Sequence, residues 1–174
     1  MEATDAQRDA SSSNGSGTQE EGPRQRSGPY VALLLVYTVL LGGFVAFLRR
    51  SGRALPHDYS PQDIALIGIA THKASRLVAK DIVTTPIREP FTEYDDRAGP
   101  GEVSESPRGE ERSFRHAVGE LISCPYCVGQ WIATTLAAGL AIVPRVTRFV
   151  ATTLTAVAIS DFLQLAHKAS EEKL

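Results

Sequence analysis

Two cysteines separated by a proline and a tyrosine, Cys124-Pro125-Tyr126-Cys127, have the types and spacing to do chemistry. Thiols three residues apart can close an intramolecular disulfide, and as thiolates they supply half of a tetrahedral metal site. The apolar run 128–143 follows directly, so Cys127 is expected at or near a helix start. Free N–H groups and the helix dipole there stabilise a thiolate and lower its pKa.

Three accounts of the pair follow from these residues. As a redox pair, the tetrapeptide resembles the active site of glutaredoxins, although that family sets it after a strand of a thioredoxin-like domain and no such strand pattern occurs here. As a metal site, Cys124 and Cys127 would need His116 and a further group, or a second subunit, to complete four ligands. As a packing pair, the cysteines and Pro125 would form a tight turn with small sulfur side chains buried between helices. Burial statistics favour packing.

The elements that must position the pair are apolar and long. Residues 30–48 and 121–143 carry no Asp, Lys or Arg, and 149–166 is interrupted only by Asp161. A bilayer core of about 30 Å takes about 20 mainly apolar helical residues, so three membrane helices are expected. The fold class that follows is all-α: a small multi-pass membrane bundle of three firm helices and one short or half-inserted helix. The lipid bilayer is then the first partner.

That fourth helix starts at Ser60-Pro61-Gln62-Asp63, where Ser60 can accept from a free N–H, Pro61 gives up none that is needed and Asp63 sits in the positive first turn. It runs to about Lys80 and places His72, Lys73, Arg76 and Lys80 on one side of its second half. It either enters the membrane with its cations snorkelling or lies along the interface. Asp161 inside an apolar run is costly and wants a partner, for which Lys73 or Arg76 is placed by sequence. Trp131 is expected to anchor at the headgroup boundary.

Around these helices the chain is polar. Residues 1–28 are rich in Ser, Gly, Gln and Glu, which predicts a disordered tail, and 29–50 reads as a retained anchor because Arg49 and Arg50 follow the apolar run. The domain proper spans 60–168 and contains a polar loop at 81–119, with breakers at Gly99-Pro100-Gly101 and Ser106-Pro107-Arg108-Gly109. Thr85-Pro86-Ile87-Arg88-Glu89-Pro90-Phe91 holds two prolines and is expected to be extended or turning. Glu93, Asp95 and Asp96 read as a solvated acidic stretch rather than a cation site. From 113 onward helical spacing resumes and leads into the cysteines.

The chain has 174 residues, a net charge of −2 and two cysteines. Its cations are dispersed, so nucleic acid is excluded as a partner, and two cysteines make no disulfide framework. Arg49, Arg50 and Arg53 oppose Arg24 and Arg26 in setting orientation, and either outcome keeps the 81–119 loop and the thiols near the cytoplasmic face. Usage rich in Arg, Ala, Val and Leu points to a GC-rich bacterial genome, and with the apolar runs the expected location is a bacterial cell membrane.

The runs Ala70-Thr71-His72-Lys73-Ala74-Ser75-Arg76-Leu77, Lys80-Asp81, Pro86-Ile87-Arg88-Glu89-Pro90-Phe91 and Gly119 through Cys124-Pro125-Tyr126-Cys127-Val128-Gly129-Gln130-Trp131 resemble bacterial membrane proteins known as the domain of unknown function 1360 family. The resemblance covers about 63–166. It implies a membrane location and no assigned activity, cofactor or site, and some members carry a sporulation label. A quinone-coupled oxidoreductase of the usual kind has a third and fourth redox cysteine, which this chain lacks. The sequence therefore favours a non-enzymatic membrane component acting through a protein partner or a second copy of itself, with no cofactor. The alternatives are a thiol–disulfide oxidoreductase using Cys124 and Cys127 and a small ion or solute pathway through Asp161.

Overall fold

The computed structural model describes residues 27–52 and 59–172. The expected tail lies outside the described residues except for Ser27 and Gly28, as do Arg24, Arg26, Arg53 and His57. Helix α1 (Ser27–Arg50) is apolar around most of its circumference, and α2 (Pro61–Ala79) begins at Ser60, whose Oγ accepts from the Asp63 N–H at 3.0 Å. A short helix α3 (Thr85–Arg88), strands β1 (Thr92–Gly99) and β2 (Glu102–Pro107), and helices α4 (Phe114–Ser123), α5 (Pro125–Ile142) and α6 (Pro144–Glu171) follow.

Helix α2 packs against both α5 and α6. Its Asp63 meets Arg148, its Leu66 carbonyl accepts from Thr155, and its Lys73 meets Asp161, so α2 and α6 run in the same direction. The interface is lined with small side chains, Ala70, Ala151 and Ala158, all buried, which lets the backbones approach closely. The turn from α5 to α6 is as tight, because a Cβ on Gly139 would lie 2.6 Å from Thr147 Oγ1. At 19 residues α2 rises about 28 Å, comparable with the bilayer core, and it lies lengthwise beside its neighbours.

By length and composition two described helices can cross a membrane, 28–50 of α1 and Pro144–Glu171. Both leave large apolar side chains uncovered, Val39, Phe149 and Leu163 among them. Three firm spans were expected, and the stretch 121–143 accounts for the difference. Pro125 has no N–H to donate and pushes the preceding residue out of the helical region, so Cys124 is extended (φ −100°, ψ 108°) and the expected helix divides into α4 and α5.

The 81–119 segment also departs from expectation. It is not a structureless loop, and the fold is not all-α, because β1 and β2 pair antiparallel about a turn that uses Gly101 at φ +74°. Of the two expected breakers, Gly99-Pro100-Gly101 forms the hairpin turn, whereas Ser106 and Pro107 lie within β2. Strand β2 buries Val103 and Glu105 on one face, an alternation hidden in the sequence because one of the two inward residues is charged. The two prolines after Lys80 likewise permit a helical turn, with Pro86 near the start of α3 where a missing N–H costs nothing.

Arg88 ties this cap together. Its Nε and Nη2 donate to the two Glu105 oxygens at 2.8 and 2.9 Å, Nη1 donates to Val78 O at 2.6 Å and to Thr84 Oγ1 at 2.5 Å, and Nη2 also reaches Asp81 O at 3.0 Å. Thr92 Oγ1 donates to Glu105 Oε2 at 2.7 Å. One guanidinium thus joins the end of α2, the turn after it and the hairpin. Helix α4 docks on this cap through Gly119, where an added Cβ would meet Phe91 O at 2.5 Å.

Candidate functional site

The dithiol lies at the break between α4 and α5. Cys124 closes one helix and caps the next: its Sγ accepts from the Cys127 N–H at 3.3 Å, and its carbonyl accepts from Cys127 N and Val128 N. Cys127 Sγ donates to Cys124 Sγ at 2.8 Å, longer than a disulfide of about 2.05 Å, and both are free thiols. Cys124 is half-buried and Cys127 exposed, while the intervening Tyr126 is 91% exposed. The sulfurs are therefore not fully buried between helices.

The cap orders the two thiols chemically. Burial works against a Cys124 thiolate, yet the thiol of Cys127, the N–H groups of Cys127 and Tyr126 and the charge of Lys80 together hold Cys124 below the ordinary thiol range. The expectation assigned the activated thiolate to Cys127. In the structure Cys124 is the residue facing the free N–H groups of the helix start, and the direction is downward at Cys124, while burial and the neighbouring Cys124 push Cys127 up to about 11.

The other expected site residues lie elsewhere. His116 Nε2 faces Glu120 at 3.6 Å and its Nδ1 the Gly109 carbonyl at 3.3 Å, so it is committed away from the sulfurs. Among the described residues no group of three or more His, Cys, Asp or Glu has the geometry to hold a metal ion. Lys73 Nζ lies 2.6 Å from Asp161 Oδ2, whereas Arg76 turns to Glu102 of the hairpin through a bidentate pair. These four line a cleft of about 700 Å³ between α2, α6 and the hairpin turn, where His72 stacks on Phe162.

Sequence reasoning missed how α1 joins this end. Tyr30 OH donates to Glu120 of α4, and Tyr37 OH hydrogen bonds Thr134 Oγ1 at 2.7 Å and accepts from Gln130 Nε2 at 3.0 Å. Trp131, expected as an interface anchor, packs edge-on against the Tyr37 ring at 5.1 Å. Tyrosines at 30 and 37 share one helix face, a signal present in the sequence but without a visible partner. An apolar groove of about 200 Å³ remains between α1 and α5, bounded by Tyr37, Leu41, Phe44, Trp131, Thr134 and Ala138.

Residues 66–167 match the family described as Protein of unknown function (DUF1360). Sporulation protein YjcA of Bacillus subtilis (strain 168) is 24% identical over 102 residues, covering 58% of this chain and 86% of that protein. No solved structure matches.

Proposed function

The chain belongs to the DUF1360 family of proteins of unknown function, and within that family we propose that it is an integral protein of the bacterial cell membrane that exchanges thiols and disulfides through Cys124 and Cys127. The observation that carries this reading is the junction itself. It combines a helix-capping Cys124 thiol, a second thiol 2.8 Å away and a fully presented Tyr126. An exchange partner can reach it from solvent.

The chemistry is a balanced exchange. Cys124 thiolate attacks one sulfur of a partner disulfide, forms a mixed disulfide and releases a partner thiolate. Cys127, once deprotonated, attacks the Cys124 sulfur, which closes the Cys124–Cys127 disulfide and releases the second partner thiolate. The two released thiolates take up the protons lost by Cys124 and Cys127. Run in reverse, the same steps oxidise a partner dithiol.

The bundle supplies the setting. The lengthwise packing of α2 beside α6, and the pairing of Lys73 with Asp161, support four crossing helices, α1, α2, the apolar part of α5 and α6. In that arrangement the start of α1, the hairpin cap, the thiols and the end of α6 share one face. Carbonate extraction tests the membrane half of the reading, since a soluble chain would contradict it. Trapping tests the chemistry: Cys127→Ala should accumulate a mixed disulfide at Cys124 with a small disulfide probe, and Cys124→Ala should not. Equal and slow alkylation of both thiols at pH 7, with no trapped adduct, would return the pair to a structural role.

Association with a protein partner is the second reading. Its observation is the exposed apolar pair Val83 and Ile87, 77% and 71% open to solvent beside the Arg88 cap. Val83→Asp with Ile87→Asp should abolish co-purification of such a partner without unfolding the cap.

A further inference from the structure

The donor set at the junction of α4 and α5 is a pair of sulfurs. Cys124 Sγ and Cys127 Sγ lie 2.8 Å apart, both are free thiols, and Cys127 is exposed. Hard cations prefer oxygen donors, whereas thiolates select soft ions such as zinc and monovalent copper. Zinc takes four ligands at a structural site, and the neighbourhood does not supply them. His116 turns its two ring nitrogens to Glu120 and to the Gly109 carbonyl, and among the described residues no third His, Cys, Asp or Glu completes a cluster with the pair. A soft monovalent ion with a filled d shell is satisfied by two thiolates on opposite sides of it, because two such donors already exceed its single charge.

The fold seats one sulfur and leaves the other able to move. Cys124 Sγ accepts from the Cys127 N–H at 3.3 Å at the start of α5, and an N–H directed at a sulfur also supports that sulfur as a metal ligand. At 2.8 Å the sulfurs are closer than ligands on opposite sides of an ion can be, so one must swing outward. Cys127 can do so, since it is exposed and its sulfur is bonded to Cys124 rather than packed in the core. Pro125 in the first turn stiffens the backbone between the two, which lowers the cost of ordering the turn around an ion. Two thiolates and a monovalent cation carry one net negative charge. Lys80, whose charge reaches Cys124, offsets it, and Glu120, whose charge reaches Cys127, opposes it.

We infer that the reduced Cys124–Cys127 pair binds one Cu(I) ion between two thiolates, with Cys124 as the seated ligand and Cys127 as the mobile one. Two S–H bonds break, two S–Cu bonds form and two protons pass to the buffer, with no electron moved. This site goes beyond thiol exchange and needs no exchange step. It also regulates exchange, because a metallated pair presents no free thiolate to a partner disulfide.

Full-length reduced protein in detergent, kept anaerobic, is titrated against Cu(I) held by bicinchoninate, whose colour fades as the ion is withdrawn. Wild type should withdraw one ion per chain without changing its oligomeric state, and a sulfur-to-copper absorption should appear in the ultraviolet. Cys127→Ala should bind about 100-fold more weakly, the loss expected when the second donor is no longer intramolecular. Lys80→Gln should weaken binding about threefold, and Glu120→Gln, which keeps an acceptor for Tyr30, should strengthen it by a similar factor. A synthetic peptide of sequence Cys124-Pro125-Tyr126-Cys127 lacks the helix and both charges and should bind about tenfold more weakly than the protein.

Equal affinity in peptide and protein means an adventitious ion only, held as any dithiol would hold it, and overturns the inference. One ion per two chains with dimer formation also overturns it, since the site is then four sulfurs from two copies. No withdrawal by wild type overturns it outright. Mixed-disulfide trapping at Cys124 reads the exchange chemistry separately: trapping without copper uptake removes this inference alone, and copper uptake without trapping removes the exchange reading alone.

Discussion

In the hairpin cap, Arg88 and Glu105 pair with side chains only 1% and 2% exposed, whereas at the far end of the bundle Arg148 pairs with Asp63 at a similar distance and stays 56% exposed. The two contacts look alike as distances and differ in what surrounds them. Around Arg88 every N–H that points inward has an acceptor, among them Val78 O, Thr84 Oγ1 and Asp81 O, so the charge is solvated by protein instead of water. Around Arg148, water provides most of that service. Removing one partner should therefore be severe in the cap and mild at the far end.

Arg88→Met is the largest test of that difference. It leaves the Glu105 carboxylate buried and unpaired and should cost about 3–5 kcal/mol, enough to release the hairpin from α2 in thermal unfolding and to open it to protease. Arg88→Lys should recover little, since a single ammonium cannot replace a bidentate fork together with bonds to three other acceptors. Arg88→Met with Glu105→Leu should regain much of the loss. Arg148→Met should move the melting temperature slightly, and an equal loss at both sites would dissolve the comparison.

Close backbone approach separates the two regions again. Gly119→Ala drives a Cβ into the Phe91 carbonyl and the Pro107 backbone, which cannot turn aside, and should cost about 1–3 kcal/mol by overpacking the seat of α4. Gly139→Ala meets chiefly the Thr147 side chain, whose hydroxyl can rotate while giving up its bond to Val143 O. The loss there should be smaller. Melting curves of the two variants in one detergent rank them.

Acid should also find the cap first. Burial pushes the Glu105 carboxyl up, but hydrogen bonds from Arg88 and Thr92 and the Arg88 charge outweigh it, and the net pKa lies below the ordinary 4.5. A depressed folded pKa contributes stability that is complete above 4.5 and is lost as pH falls through the folded value. Amide exchange in Thr92–Gly99 and Glu102–Pro107 should therefore rise below pH 4.5, and in Glu105→Gln that part of the acid response should be absent.

How much of this was legible follows the same division. The bundle is written in composition: the apolar runs of α1 and α6 and the Ser60-Pro61 start are local signals, and they foretell local structure. A partner for Asp161 was expected at Lys73 or Arg76, because a carboxylate in an apolar run has few partners to choose from, and the structure pairs it with Lys73. The cap was not legible. Its central charge pair joins residues 17 apart in a segment whose polarity reads as solvated loop, and only tertiary packing makes Glu105 an inward residue. The thiol site was half legible: spacing located it, but the helix break that made Cys124 the cap depended on how strongly Pro125 acts on the residue before it.

The smallest expected effect on stability is at the thiols, where it is the chemistry that should change. Cys127→Ala removes one exposed sulfur and should alter the melting temperature little, since surface substitutions usually stay within about 0.5 kcal/mol. It also removes the S–H that Cys124 Sγ accepts at 2.8 Å. The backbone N–H groups of residues 126 and 127 remain, so Cys124 should keep part of its lowered pKa and lose part. Iodoacetamide alkylation of Cys124, followed against pH, should shift its midpoint upward in Cys127→Ala and slow several-fold at pH 7. Cys127→Ser keeps a donor at the same place and should fall between the two. Lys80→Gln should move the midpoint upward by less, because its charge acts at a distance and through partial solvent. An unchanged midpoint in Cys127→Ala would mean that the helix start alone activates Cys124, and the two sulfurs would then be neighbours without being a chemical pair.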